Sequence, residues 1–284
     1  MYSTLIDVAT LKSHLSDPDW VVVDVRHQLA DPAYGERAYA AGHVPGAAFL
    51  HLDRDLSGPM NGANGRHPLP DPEWLAKRLG KLGIGRQTQV VVYDDAGGMI
   101  AGRLWWLLRW LGHDRVALLD GGWQGWLSAG GQSSQDLFGR VAVPFDVHRQ
   151  PGMSVVADAV LRNLEQPAFL VLDARSPDRF RGENETLDPV GGRIPGARNR
   201  FLKENLQANG LMKPASVLRA EYAAILGSWS PDQVVHQCGS GVSACLNMIA
   251  MEHAGLSGSR LYAGSWSEWC SGFDGPNARP AAQG

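Results

Sequence analysis

Short apolar runs alternate with stretches of helical periodicity along this chain. Val21–Val25, Val90–Tyr93 and Val116–Leu119 in the first half, and Leu170–Ala174 and Val234–Gln237 in the second, are four or five residues long. Their near-continuous apolar character predicts strands buried on both faces rather than strands with one wet side. Between them, Pro72–Leu82 predicts a helix with Leu75, Leu79 and Leu82 on one face and proline near its first turn. Met99–Leu111 predicts another, with Leu104, Leu107, Leu108 and Leu111 on its apolar side. Strands of this kind separated by helices define an α/β fold with a mainly parallel sheet covered on both faces. Ligands of such sheets bind beyond the carboxyl ends of the strands, which directs attention to the loops after Tyr93 and Gln237.

The pattern occurs twice. Val21-Val-Val-Asp24-Val-Arg26 returns as Leu170-Val-Leu-Asp173-Ala-Arg175, and Ala41-Gly-His-Val-Pro-Gly-Ala47 as Gly191-Gly-Arg-Ile-Pro-Gly-Ala197. Val90-Val-Val-Tyr-Asp-Asp95 matches Val234-Val-His-Gln-Cys238, and Asp120-Gly-Gly-Trp-Gln-Gly-Trp126 matches Ala263-Gly-Ser-Trp-Ser-Glu-Trp269. The four offsets are 149, 150, 143 and 143 residues, in unbroken order, so the chain is a duplicated domain. Residues 131–151 lack helical periodicity and are expected to be a linker between domains at 1–130 and 152–284.

Composition narrows the classes. The 284 residues carry a formal charge of −3, so nothing in the overall balance draws the chain to nucleic acid or an anionic membrane. At 44% hydrophobic residues the chain can bury ordinary cores. No apolar run approaches the ~20 residues that span a bilayer, and the amino terminus shows no basic stretch followed by an apolar one. The three cysteines, Cys238, Cys245 and Cys270, cannot form a disulfide framework and lack the close pairing of a Zn or Fe–S site. A soluble cytoplasmic protein needing no metal or organic cofactor is the expectation.

The loop after Val234–Gln237 carries the chemistry. In Cys238-Gly-Ser-Gly-Val-Ser-Ala244 a cysteine ends a buried strand, and small residues lead into a helix with Val242, Leu246 and Ile249 on one face. Small residues let successive N–H groups form an anion-binding nest, and the helix start adds partial positive charge. An isolated buried cysteine is more often inert, but both effects favour a thiolate here and make Cys238 a candidate nucleophile. Cys245 and Cys270 lack this setting and are expected to be structural. The first half is expected to place Asp95 at the position of Cys238, and a carboxylate cannot do thiol chemistry. That half then serves as scaffold and as one wall of a cleft.

Taken together, the tandem α/β halves, Gly42-His-Val-Pro-Gly-Ala47 and the Cys238 loop resemble the rhodanese superfamily, specifically its two-domain thiosulfate and 3-mercaptopyruvate sulfurtransferases. The resemblance covers nearly the whole chain. It implies that Cys238 accepts a sulfane sulfur as a persulfide and hands it to a thiophilic acceptor. The uncharged loop resembles the mercaptopyruvate branch, since animal thiosulfate enzymes carry charges after the cysteine. It further implies that Arg179, in Asp178-Arg-Phe-Arg-Gly182, binds the donor's anionic group, with Arg181 a neighbouring alternative. Ser240 matches the loop serine that works with a histidine and an aspartate of the other domain. The candidates are His67, which could instead cap a loop, and Asp53, which could instead be a turn or N-cap residue. The backbone of Gly239, Gly241, Val242 and Ser243 would cradle the transferred sulfur.

The chain departs from the mammalian pattern in Asn184-Glu-Thr-Leu-Asp188, where a second arginine is expected about nine residues after the first. Arg193 and Arg181 are the candidates to replace it. A cysteine-dependent phosphatase is disfavoured because residues 239–246 hold no Arg or Lys to clasp phosphate. The remaining alternatives are a thiosulfate:cyanide sulfurtransferase and a persulfide-carrying interaction module without turnover. The expected partners are a small anionic sulfur donor and a thiol acceptor such as a thioredoxin-like protein, or cyanide in assay, with neither nucleic acid nor membrane.

Overall fold

The computed structural model describes residues 1–275 and 278–284. Two five-stranded sheets are present, each entirely parallel. The first contains β1 (Leu5–Ile6), β2 (Trp20–Asp24), β3 (Ala48–Phe49), β4 (Gln89–Tyr93) and β5 (Val116–Leu119), in the order β1-β5-β4-β2-β3. The second contains β6 (Ser154–Val155), β7 (Leu170–Asp173), β8 (Arg198–Asn199), β9 (Val234–Gln237) and β10 (Arg260–Tyr262), in the order β6-β10-β9-β7-β8. The two orders are the same topology read twice, as the sequence repeat requires. The strands predicted from apolar runs are the three central ones of the first sheet and two of the central three of the second. The short edge strands β1, β3, β6 and β8 have two residues each and carry no periodicity to read.

The helices follow from local signals. Pro72–Lys81 begins where the Asp71 carboxylate accepts from the Trp74 N–H, and proline occupies its first turn; it buries Leu75, Ala76 and Leu79. Ala101–Trp110 has almost every residue buried, so it lies within its unit's core rather than across its surface. In the first unit Ile6, Leu11, Val22, Val91, Ala117 and Trp126 meet on one sheet face. In the second the corresponding cluster is built from Val160, Val171, Ile194, Val235, Tyr262, Trp266 and Trp269.

By contacts the chain divides into a unit of residues 1–58, 69–150 and 206–212 and a unit of 59–68, 151–205 and 213–284. The change at 150/151 falls close to the boundary expected from sequence, but the two units exchange short segments. Residues 131–150 lack helix and strand, yet they are bonded onto the first unit: His43 N–H donates to Ser134 O at 2.9 Å, Val143 N–H to Gly80 O at 3.0 Å and Gln150 N–H to Trp110 O at 2.8 Å. Backbone pairing of this kind has no side-chain pattern, which is why it was invisible in the sequence. More consequential is the segment 59–68, which belongs to the second unit. There Arg66 N–H donates to Ser267 Oγ at 3.1 Å, and Gly65 lies close against Gly264 O.

The two copies share a buried ion pair. Arg26 grips the Asp24 carboxylate and the carbonyls of Ala38 and Gly42, and stacks on Trp123. Arg175 does the same with Asp173, the Gly192 carbonyl and Trp266. The repeated Asp-x-Arg and Trp motifs are therefore one device that ties the end of β2 or β7 to the Pro-Gly turn and the last helix.

Candidate active site

Cys238 follows β9, the middle strand of its sheet, at the carboxyl end where an α/β fold places its ligands. The loop is clamped from the far side by residues that follow β10. Cys238 N–H donates to Ser265 Oγ at 3.1 Å, Trp266 N–H to Cys238 O at 3.0 Å and Ser267 N–H to Gly239 O at 2.9 Å. Ser265 holds a left-handed φ of 53°, unique among described non-glycine residues, and its hydroxyl also donates to Tyr262 O. A strained residue that holds the backbone of a candidate nucleophile is typical of a functional loop. Gly241 has φ +75°, and a Cβ there would lie 2.0 Å from Ala263 O, so no other residue fits. The helix Ala244–His253 leaves the loop with residues 244–251 all buried, which fixes the loop's exit.

Strand register corrects the expected position of the first-half counterpart. Asp24 pairs with Tyr93 and Asp173 with Gln237, so the residue that follows, Asp94 and not Asp95, takes the place of Cys238. Trp123 N–H donates to Asp94 O just as Trp266 N–H does to Cys238 O. The strands of the two halves are related by 144 residues, whereas their Trp motifs are related by 143. Asp95 instead accepts from the Tyr34 hydroxyl.

Asp94 also shows what this loop is built to hold. Its buried carboxylate accepts from Ala96 N–H and Gly98 N–H through Oδ1, and from Ile100 N–H and Ala101 N–H through Oδ2, at 2.7–2.9 Å. Burial pushes its carboxyl above the usual range against the pull of those four donors. The first-unit loop is thus a nest filled by its own carboxylate. Asp94→Ala is expected to strand four amides, three of them buried, and cost roughly 3 kcal/mol or more of stability. Urea denaturation measures that loss directly.

Cys238 itself is 1% exposed, and the second unit also contains the candidates His67, Arg179, Gly239, Ser240, Gly241, Val242 and Ser243. His67 Nδ1 lies 2.7 Å from Ser240 Oγ, both side chains buried. His67 was expected from the other domain; the 59–68 segment brings it into the same unit as the cysteine. Arg179 reaches the loop as well: a Cβ on Gly239 would lie 3.7 Å from both of its terminal nitrogens. Arg179 Nη2 is 2.8 Å from both oxygens of Glu185, and 3.5 Å from Asp188 Oδ2. Asp53 lies in the first unit, in the short helix Leu52–Asp55, with its carboxylate 3.9 Å from His27 Nε2 and from His51 Nδ1. The donor atoms of these three lie within 4.8 Å of one another. His51 is committed on both sides, to the Pro32 carbonyl and the Asp53 N–H.

Sequence reasoning missed Arg66. Its Nη2 would lie 3.0 Å from a Gly239 Cβ, and its Nη1 pairs with Asp188. Neither proposed replacement for a second arginine stands there. Arg181 pairs with Glu183 at an exposed edge, and Arg193 lies over Phe180 and donates to the Gly284 carbonyl. The neighbour of His67 in Gly65-Arg-His was the available signal, but only folding brings residue 66 to residue 239.

The other cysteines have the inert settings expected. Cys245 Sγ donates to Gly241 O at 3.6 Å inside the helix, and burial pushes the Cys270 thiol up to about 11. No disulfide links any of the three.

Two parallel α/β units of the same topology, one of them following its central strand with a cysteine loop, define a tandem α/β protein. The Rhodanese-like domain model matches residues 7–129 and again 156–272, and the chain belongs to that family. A Pseudomonas aeruginosa protein named, provisionally, as a 3-mercaptopyruvate sulfurtransferase is 45% identical over 99% of this chain and 98% of its own length. A Mycobacterium tuberculosis protein, SseB, provisionally named a thiosulfate sulfurtransferase, is 36% identical over 98% of each chain. The crystal structure of SseA from Escherichia coli, described as a 3-mercaptopyruvate sulfotransferase, superposes with a TM-score of 0.79 at 29% identity, over 94% of this chain and all of that one. The rhodanese resemblance drawn from the sequence is therefore correct, as is the tandem parallel α/β architecture.

Proposed function

We propose that this protein is a sulfurtransferase that takes a sulfane sulfur from 3-mercaptopyruvate onto Cys238 and passes it to a thiol. The observation that carries the reading is the setting of Cys238: the nucleophile position of a loop whose twin, at Asp94, holds an anion with four amide donors. The names of the relatives agree on sulfur transfer and favour 3-mercaptopyruvate at the higher identity.

The Cys238 thiolate attacks the sulfur of the donor. The new S–S bond forms as the donor's C–S bond breaks, and its electron pair leaves as the enolate of pyruvate. Backbone N–H groups of residues 239–243 stabilise the charge on the transferred sulfur, as preorganised dipoles do in any anion hole. Ser240, hydrogen-bonded to His67, delivers the proton that turns the enolate into pyruvate. Arg179 and Arg66, both against Gly239, hold the donor's carboxylate through charge-assisted hydrogen bonds. An acceptor thiolate then attacks the outer sulfur, and the Cys238 thiolate is regenerated. A dithiol of thioredoxin type suits this step, in a cytoplasmic setting where thiols stay reduced.

Arg179→Ala is expected to raise KM for anionic donors about tenfold to a hundredfold, the worth of a charged hydrogen bond. Alkylation of Cys238 by a neutral reagent should persist. An unchanged KM would remove Arg179 from donor binding. The donor itself is tested by kcat/KM for 3-mercaptopyruvate and thiosulfate on one preparation, with the former expected to be higher. A higher value for thiosulfate would make the protein a thiosulfate sulfurtransferase.

A further inference from the structure

The two guanidiniums that flank the nucleophile loop are already partnered. Arg66 Nη1 pairs with Asp188 Oδ1, and Arg179 is held by both oxygens of Glu185. Asp188 is shared: its Oδ2 lies 3.5 Å from Arg179 Nη2, so this one carboxylate stands between both arginines at Gly239. The side chains of Glu185 and Asp188 are each only 3% exposed, and Asp188 Oδ2 has no hydrogen-bond partner within the described residues. Burial drives the Asp188 carboxyl upward despite the two arginines, the mark of a charge held where solvation is poor. Arg175 faces the same group through Glu185, and Asp173 cancels it. The charged groups here, Arg66 and Arg179 against Asp188 and Glu185, sum to zero.

We propose that Asp188 is a specificity-determining residue. Its fixed charge repels doubly charged thiosulfate more strongly than singly charged 3-mercaptopyruvate, and so biases the donor site toward 3-mercaptopyruvate. The proposal rests on the sulfur-transfer reading of Cys238. Its physical basis is that the repulsion between a fixed carboxylate and a donor scales with the donor's charge. Removing that carboxylate therefore helps a dianion twice as much, in logarithmic terms, as a monoanion.

The test is kcat/KM for both donors in Asp188→Asn, whose amide oxygen can still accept from Arg66. The thiosulfate-to-mercaptopyruvate ratio is expected to rise about tenfold over the unmodified protein, allowing for partial screening at the site mouth. The double variant Arg66→Gln/Asp188→Asn loses one charge of each sign and should return the ratio to its starting value. A local distortion would not be repaired by a second substitution, so this restoration separates charge from structure. If Asp188→Asn does not fold, Asp188→Ser is measured in its place with the same expectation. A ratio unchanged within twofold, in a variant that still forms the Cys238 persulfide, overturns the role of Asp188 and leaves the sulfurtransferase reading intact. Failure of the unmodified protein to form a persulfide from either donor overturns both.

Discussion

Cys238→Ser is expected to abolish sulfur transfer from every donor, with kcat falling at least about a thousandfold, to the background of the assay. The magnitude follows from the chemistry. An alcohol at this position is not ionised at neutral pH and forms no S–S bond, so the covalent intermediate is lost rather than slowed. The substitution removes little else, because serine fills nearly the same space and the backbone bonds from Ser265, Trp266 and Ser267 involve only main-chain atoms of residues 238 and 239. Cys245 cannot take over: it points back to the Gly241 carbonyl from within the following helix. Cys270 cannot either, since burial keeps it a neutral thiol. Steady-state turnover with cyanide or a dithiol as acceptor measures the effect, and substantial activity in the variant would exclude the double-displacement mechanism.

His67→Ala is expected to have the next largest effect, and an unequal one. With 3-mercaptopyruvate, kcat should fall about a hundredfold, the usual worth of a positioned acid or base, with KM little changed. With thiosulfate the loss should stay within a fewfold. The asymmetry arises because breaking the C–S bond of 3-mercaptopyruvate leaves an enolate that must be protonated, whereas sulfite departs as a stable anion. His67 meets Ser240 Oγ at 2.7 Å, on the Cys238 loop, so the proton has a short route. Equal losses with both donors would make the pair a structural hydrogen bond of the loop and remove it from proton transfer.

The central strands of the first sheet, β7 and β9 of the second, the helix Pro72–Lys81 and the duplicated topology were legible because burial on both faces leaves near-continuous apolar runs, and because the chain writes its plan twice; β10, three residues long, was not. The edge strands were not, being two residues long and paired through backbone alone. The strand-to-helix loop of small residues that begins at Cys238 was legible as well. His67 and Arg66 illustrate the limit. Their segment, 59–68, crosses from one unit to the other, and only three-dimensional contacts such as Arg66 with Ser267 reveal where it settles. The misplacement of Asp95 has a similar origin. One residue is gained between the loop and the Trp motif, and only the β2–β4 and β7–β9 pairings locate that change. Charge partners were equally hidden: Glu185 and Asp188 read in the sequence as an absence of arginine, whereas in the fold they neutralise the arginines that are there.

The most direct test is the mass of the protein after one equivalent of 3-mercaptopyruvate, with no acceptor present, followed by peptide mapping. The expected result is the gain of one sulfur atom per chain, located on Cys238, taken up as one equivalent of pyruvate forms, and removed when a dithiol is added. No added sulfur, or sulfur found on Cys245 or Cys270 instead, would contradict it.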